Sequence, residues 1–177
     1  MGGHWKGDRA SAIAAQSVAQ TIGGHIFSGF MEETLDIADT SELELLMQTA
    51  LGICNSNVAD AVPSGGTTLT AALLVGGRAV VGHVGDSRAY LIVSDDMSQI
   101  TTDHSLVQRM QDLGEITPAQ AELHPQRNVL LRAVGQGDEL QVDVTTHSVQ
   151  SGTGLLFCTD GLWGSLDDAH MLDIIVK

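Results

Sequence analysis

The chain of 177 residues is short of aromatic side chains, proline, cysteine and positive charge. Trp, Tyr and Phe together make up 3% of it, so its core has to be assembled from Leu, Ile, Val, Ala and Met. With 3 prolines and 43% hydrophobic residues it lacks the make-up of a disordered chain, which is richer in proline and poorer in aliphatics. Eight Lys and Arg against 22 Asp and Glu leave a formal charge of −14, which repels nucleic acid and anionic lipid. Such a surface serves solubility, and it also suits a site that gathers cations. No apolar run is long enough to span a membrane. At the N-terminus, Gly2, Gly3, His4 and Lys6 precede no apolar segment of the signal-peptide kind. Two cysteines, Cys54 and Cys158, exclude a disulfide framework and a cysteine zinc site. Both sit in apolar patterns and read as small buried hydrophobes, with a reducing cytoplasm as the default compartment.

What is present reads as one ordered domain with many turns, 20 glycines among them. Ala10, Ile13, Ala14, Val18, Ile22 and Ile26 recur at helical spacing over residues 8 to 28, with Gly23-Gly24 as the expected end. A second helix is predicted from Ser41, capped by a Ser41/Glu44 box, with Leu43, Leu46, Met47, Ala50 and Cys54 on one face. Asn55 to Gly66 reads as a loop. An antiparallel meander follows, with strands over Thr67 to Val75, Arg78 to Val84 and Arg88 to Val93, and a short one ending at Thr101. Gly76-Gly77, Gly85-Asp86-Ser87 and Ser94-Asp95-Asp96 are its turns. Short helices are predicted over Asp103 to Gly114 and after Thr117-Pro118, the latter with Gln120 completing a capping box. The alternation of Leu140, Val142 and Val144 marks a half-buried strand, and Gly154 to Thr159 a buried one. Asp160-Gly161 turns the chain, and a last helix runs from Leu166.

Two aspartates stand out by context. Asp86 and Asp160 each end an apolar strand. From the rim of a sheet, two such carboxylates can meet in one cleft, and hard cations such as Mg²⁺ or Mn²⁺ take oxygen ligands of this kind. As turn residues bonded to their own backbone, the same aspartates would carry no chemistry. The seven histidines show no His-Glu-x-x-His spacing; His83 reads as a packed or surface side chain, and His4 stands where it could face a site. Ser64-Gly65-Gly66-Thr67-Thr68 is glycine-rich but lacks the Walker lysine and leads into a strand. No Gly-x-Ser-x-Gly nucleophile elbow occurs.

Taken in order, these segments resemble one family. Ser64-Gly65-Gly66-Thr67-Thr68 with Gly82-His83-Val84-Gly85-Asp86-Ser87-Arg88-Ala89-Tyr90 is similar to the metal-dependent (PPM-type, type 2C) serine/threonine protein phosphatases. Thr101-Thr102-Asp103-His104-Ser105, continued through His124-Pro125-Gln126-Arg127-Asn128 to Arg132-Ala133-Val134-Gly135, resembles the flap region of the bacterial branch. Cys158-Thr159-Asp160-Gly161-Leu162-Trp163 resembles a metal motif of the family, and Met1-Gly2-Gly3-His4 the tail of another. Each motif alone is common, whereas four in the family's order are specific.

The resemblance implies an α+β fold, a four-layer sandwich of two antiparallel β-sheets flanked by helices, forming a single domain over residues 1–177. It implies hydrolysis of phosphoserine and phosphothreonine in proteins by a metal-activated water, at a site that in the complete family holds two or three Mg²⁺ or Mn²⁺ ions. Asp160 would be a ligand of the catalytic metal cluster and Asp86 would help hold an additional metal. Asp103, His104, Arg109 and Arg127 would belong to a mobile substrate flap. Phosphorylated proteins, possible products of a Ser/Thr kinase, would be the partners; neither nucleic acid nor membrane would be. The family's first metal Asp and its last strands would lie outside this chain, so N-terminal and C-terminal strands are expected to be missing, with strand edges open to self-association. The alternative is a catalytically inactive phosphatase-like domain acting as a binding or regulatory module.

Overall fold

The structure is a computed structural model that describes residues 5–32, 36, 39–137 and 139–176. Its contacts divide the chain into two compact units, Met1–Val84 with Arg132–Val149 and Gly85–Leu131 with Gln150–Lys177. Among the described residues no helix is long and apolar enough to cross a membrane.

The first unit holds helices α1 (Trp5–Met31) and α2 (Thr40–Ala61) and the sheet of β1 (Leu69–Val75), β2 (Arg78–Val84) and β5 (Asp143–Ser148), in the order β1-β2-β5. Helix α1 lies on α2, and α2 lies on β2 and β5. Ala10, Ala14 and Val18 present a narrow stripe of small residues from α1, and Leu43, Met47, Leu51, Cys54 and Val58 face them and the sheet at helical spacing. Val80, Val84 and Val134 close this core.

Helix boundaries depart from the sequence expectation in both α1 and α2. Helix α1 does not end at Gly23-Gly24: glycine disfavours a helix by about 1 kcal/mol but keeps its amide, so the ladder runs on to Met31. Helix α2 starts two residues early, with Asp39 and not Ser41 as the cap, its carboxylate accepting the Ser41 amide at 2.9 Å. It also runs through the predicted loop, because the asparagines there have tertiary partners. Buried Asn55 donates to Gly137 O at 3.1 Å and accepts the Gly135 amide at 2.7 Å, and Asn57 donates to Ser17 Oγ at 2.8 Å.

The second unit holds the sheet of β3 (Arg88–Val93), β4 (Asp96–Gln99) and β6 (Thr153–Cys158), in the order β4-β3-β6, with helices α3 (Leu106–Asp112), α4 (Pro118–Glu122), α5 (Asp160–Trp163) and α6 (Asp168–Val176). The expected meander is therefore two sheets. The β1–β2 hairpin takes β5 as its next neighbour, and the β3–β4 hairpin takes β6. The chain changes sheets at Gly85, whose φ of 115° is closed to other residues and ends the β2 ladder. All pairings are antiparallel, and with the helices they make an α+β fold. The Gly76-Gly77 turn and the Thr117/Gln120 capping box form as predicted. Strand β5 begins at Asp143, later than the alternation from Leu140 suggested, and Asp160-Gly161 opens a short helix in place of a turn.

Gly82 faces α2 at the centre of β2. A β-carbon there would lie 2.6 Å from Met47 Cγ and 2.8 Å from its sulfur, with Leu51 Cδ1 at 3.2 Å. Gly82→Ala is expected to overpack this contact and lower stability by about 1–3 kcal/mol in denaturant unfolding. A midpoint equal to that of the parent would show that α2 can shift at no loss.

Candidate metal centre

The geometry of this site begins with strand register. In the β3–β6 ladder the last rung pairs Arg88 with Cys158. Asp86 lies two residues before that rung and Asp160 two residues after it, so the antiparallel register carries them to the same end of the sheet. Both lie just beyond the ladder, Asp86 half-buried in the turn before β3 and Asp160 exposed at the start of α5.

A set of side chains fixes the two turns. Arg88 grips Asp103 with its fork, Nε donating to Oδ1 at 3.0 Å and Nη2 to Oδ2 at 2.8 Å. Its Nη1 donates to the fully buried Tyr90 hydroxyl at 3.4 Å. The guanidinium also lies 3.8 Å from the centre of the Trp163 ring. Trp163 in turn donates its indole N–H to the Asp86 carbonyl at 3.0 Å. Gln99 Nε2 donates to Thr101 O at 2.7 Å and to Asp103 Oδ1 at 3.3 Å. Beside them, Gly85 and His104 are doubly joined: the His104 amide donates to Gly85 O at 2.7 Å, and the Gly85 amide donates to His104 Nδ1 at 3.2 Å. That bond requires the acceptor form of Nδ1, which places any ring proton of a neutral imidazole on Nε2.

The electrostatics are those of gathered negative charge. Burial, and after it the charges of Asp160 and Asp103, push the Asp86 carboxyl above its ordinary range. Asp103 has Arg88 as its counter-ion, while neither Asp86 nor Asp160 has an ion-pair partner among the described residues. Two uncompensated carboxylates at one sheet end fit the oxygen-donor chemistry of a hard divalent cation. Mg²⁺ is commonly held by one or two carboxylates, with water and phosphate oxygens filling the other positions. Consistent with such a sparse set, no group of three or more His, Cys, Asp or Glu side chains among the described residues makes a metal cage by itself.

The other predicted residues fall into two classes. Asp103 and His104 are buried, at 7% and 6% exposure, so they support the Asp86 turn and do not reach out as a flap. Arg109 is exposed on α3; Arg127 is exposed too, with its guanidinium on the Glu122 carbonyl at 3.3 Å, and neither is bonded to Asp86 or Asp160. The segment between them is closed at its base, where Leu106 N meets Val129 O at 2.9 Å and Leu131 N meets His104 O at 2.8 Å. His4 and the Met1-Gly2-Gly3-His4 motif lie outside the described residues. His83 is buried and bonded to Thr70 Oγ1 at 2.9 Å, a packed residue as expected. Sequence reasoning did not single out Arg88 or Trp163. Each stands inside a motif, next to the aspartate that drew attention, and an Arg or Trp at a strand end announces no partner.

Comparison with known proteins places this geometry. The family model described as "Protein phosphatase 2C" matches residues 1–176. The serine/threonine phosphatase stp of Listeria innocua is 35% identical over 99% of this chain and 68% of its own length. The protein phosphatase PhpP of Streptococcus pneumoniae is 39% identical over 63% of this chain and 46% of its own. Among solved structures, the serine/threonine phosphatase PstP/Ppp of Mycobacterium tuberculosis superposes with a TM-score of 0.82 at 32% identity, covering 98% of this chain and 70% of that one. The catalytic domain of PstP in complex with two manganese ions superposes with a TM-score of 0.78 at 31% identity, covering 98% and 69%. These relatives are named as phosphatases, and none supports the alternative of an inactive binding module.

Two measurements test the electrostatic picture. Asp103→Asn removes the counter-ion of a largely buried guanidinium and is expected to destabilise the fold by about 3 kcal/mol in denaturant unfolding; a loss under half that would mean that Arg88 finds water instead. The raised Asp86 pKa also sets a sign. The folded chain holds this proton more readily than the unfolded chain, so metal-free stability falls as pH rises from the ordinary carboxylate range through the folded value. In chelator, Asp86→Asn should therefore melt above the parent at neutral pH, and the gap should close in acid. A gap of the same size at both ends would remove the charge as its cause.

Proposed function

The chain belongs to the protein phosphatase 2C family, and we propose from that membership that Asp160 and Asp86 hold its catalytic divalent ions. The observation that carries the assignment is the shared end of the β3–β6 ladder, where two carboxylates stand with no ion-pair partner among the described residues and the charge of Asp160 adds to the hold of Asp86 on positive charge. The reaction is hydrolysis of a phosphate monoester: water adds at phosphorus, the P–O bond to the serine or threonine oxygen breaks, and that oxygen leaves with a proton. Bound Mg²⁺ or Mn²⁺ supplies Lewis-acid stabilisation of the phosphoryl oxygens and a water of lowered pKa.

The chain's own residues arrange the place for this chemistry. Asp160, exposed at the start of α5, offers its carboxylate outward. Asp86, half-buried, offers one in a less polar setting where its charge acts more strongly. Asp103 and His104 act from beneath as supports of the Asp86 turn; they do not meet the substrate. The substrates are phosphorylated proteins, so an opposing protein kinase is the class of enzyme that must supply them. Two unpaired cysteines fit a reducing compartment, and the cytoplasm is the one we propose.

Release of phosphate from a phosphothreonine peptide tests this reading. Turnover is expected with Mn²⁺ and not with chelator, and Asp160→Asn should lower it at least 100-fold, on the order of 3 kcal/mol of transition-state stabilisation. Turnover that survives chelation, or that Asp160→Asn leaves intact, would refute the assignment.

A further inference from the structure

Asp86 and Asp160 lie past the last rung of their ladder, so no main-chain pairing holds the two turns at a fixed spacing. Their charges, with that of Asp103 nearby, drive the turns apart. The Trp163 side chain spans them. Trp163 belongs to the short helix that Asp160 opens, and its indole N–H reaches the Asp86 carbonyl at 3.0 Å. Its ring face is backed by Arg88, at 3.8 Å, and Arg88 is itself clamped by Asp103 at 2.8 Å. The indole is therefore tied at its N–H and braced on its face, and cannot swing without breaking one of these contacts.

We propose that Trp163 is a positioning residue: it latches the Asp160 turn to the Asp86 turn and so sets the affinity of the carboxylate pair for divalent cations. This rests on the assignment of Asp86 and Asp160 as metal ligands. The latch touches main chain and not the reacting atoms, so it governs how readily the cation binds and leaves the chemistry of the filled site alone.

Trp163→Phe keeps a ring for Arg88 and removes the N–H. By titration calorimetry its affinity for Mn²⁺ should fall about five- to 150-fold, the range for one lost hydrogen bond with its acceptor left unpaired. At saturating Mn²⁺ its kcat should return to the parent value, whereas that of Asp160→Asn should not. A second measurement does not depend on that variant folding. In Trp5→Phe, Trp163 is the sole tryptophan, and diamagnetic Mg²⁺ should change its emission with the midpoint found by calorimetry. If the parent takes up no Mn²⁺, or Asp160→Asn takes it up equally well, the ligand assignment fails and the latch with it. If Asp160→Asn loses Mn²⁺ while Trp163→Phe binds as the parent does, or if the lone Trp163 is blind to bound Mg²⁺, the latch alone is overturned.

Discussion

The bidentate contact between Arg88 and Asp103 is the constraint on which the rest of the second unit turns. Asp103 is almost wholly buried and Arg88 mostly so, and removing either partner would leave the other's charge without its counter-ion. A buried pair of this kind adds little net stability over an apolar substitute, because desolvation offsets the Coulombic gain. Its value lies in direction. The planar guanidinium has one orientation in which it serves Asp103, Tyr90 and the Trp163 face together. Arg88 stands on the last rung of the β3–β6 ladder, so this orientation fixes the end of the sheet from which both metal-site turns depart.

Against that constraint stands a deliberate conflict. Asp86 is pushed toward its protonated form by burial and by its acidic neighbours, and among the described residues it has no ion-pair partner. Left alone, such an arrangement opposes folding. A divalent ion bound there, as proposed above, would resolve the tension, because the same repulsion between carboxylates would become attraction to the ion. A buried lysine at this place would have relieved the fold and removed the site. Such a local inconsistency between stability and charge is expected of a functional site and supports the proposed assignment.

This division explains what the sequence made legible. Strands β2 and β3, the glycine turn between β1 and β2 and the Thr117 capping box all form where side-chain period and turn chemistry placed them. These are local properties. The misread boundaries have distant causes: Asn55 stays helical because Gly135 and Gly137 satisfy its amide, and the meander splits because β5 and β6, far along the chain, take the open edges of β2 and β3. Asp86 and Asp160 were legible as candidates because each ends an apolar run inside a segment that resembles a family motif. The burial of Asp103 and His104, expected to lie on a flap, was not, because their partners Arg88 and Gly85 are joined to them only through the fold.

The two aspartates lie far apart in the chain and meet through the register of a single strand pair, so the site's chemistry depends on that register. A slip of one residue in β6 would move Asp160 along the sheet and turn every side chain of the strand to the other face. What resists the slip lies away from the site. Tyr90, fully buried opposite Leu156, has its hydroxyl on Arg88, and a slipped β6 would oppose it with a different residue facing the other way. The register of one strand pair thus decides where the two carboxylates stand.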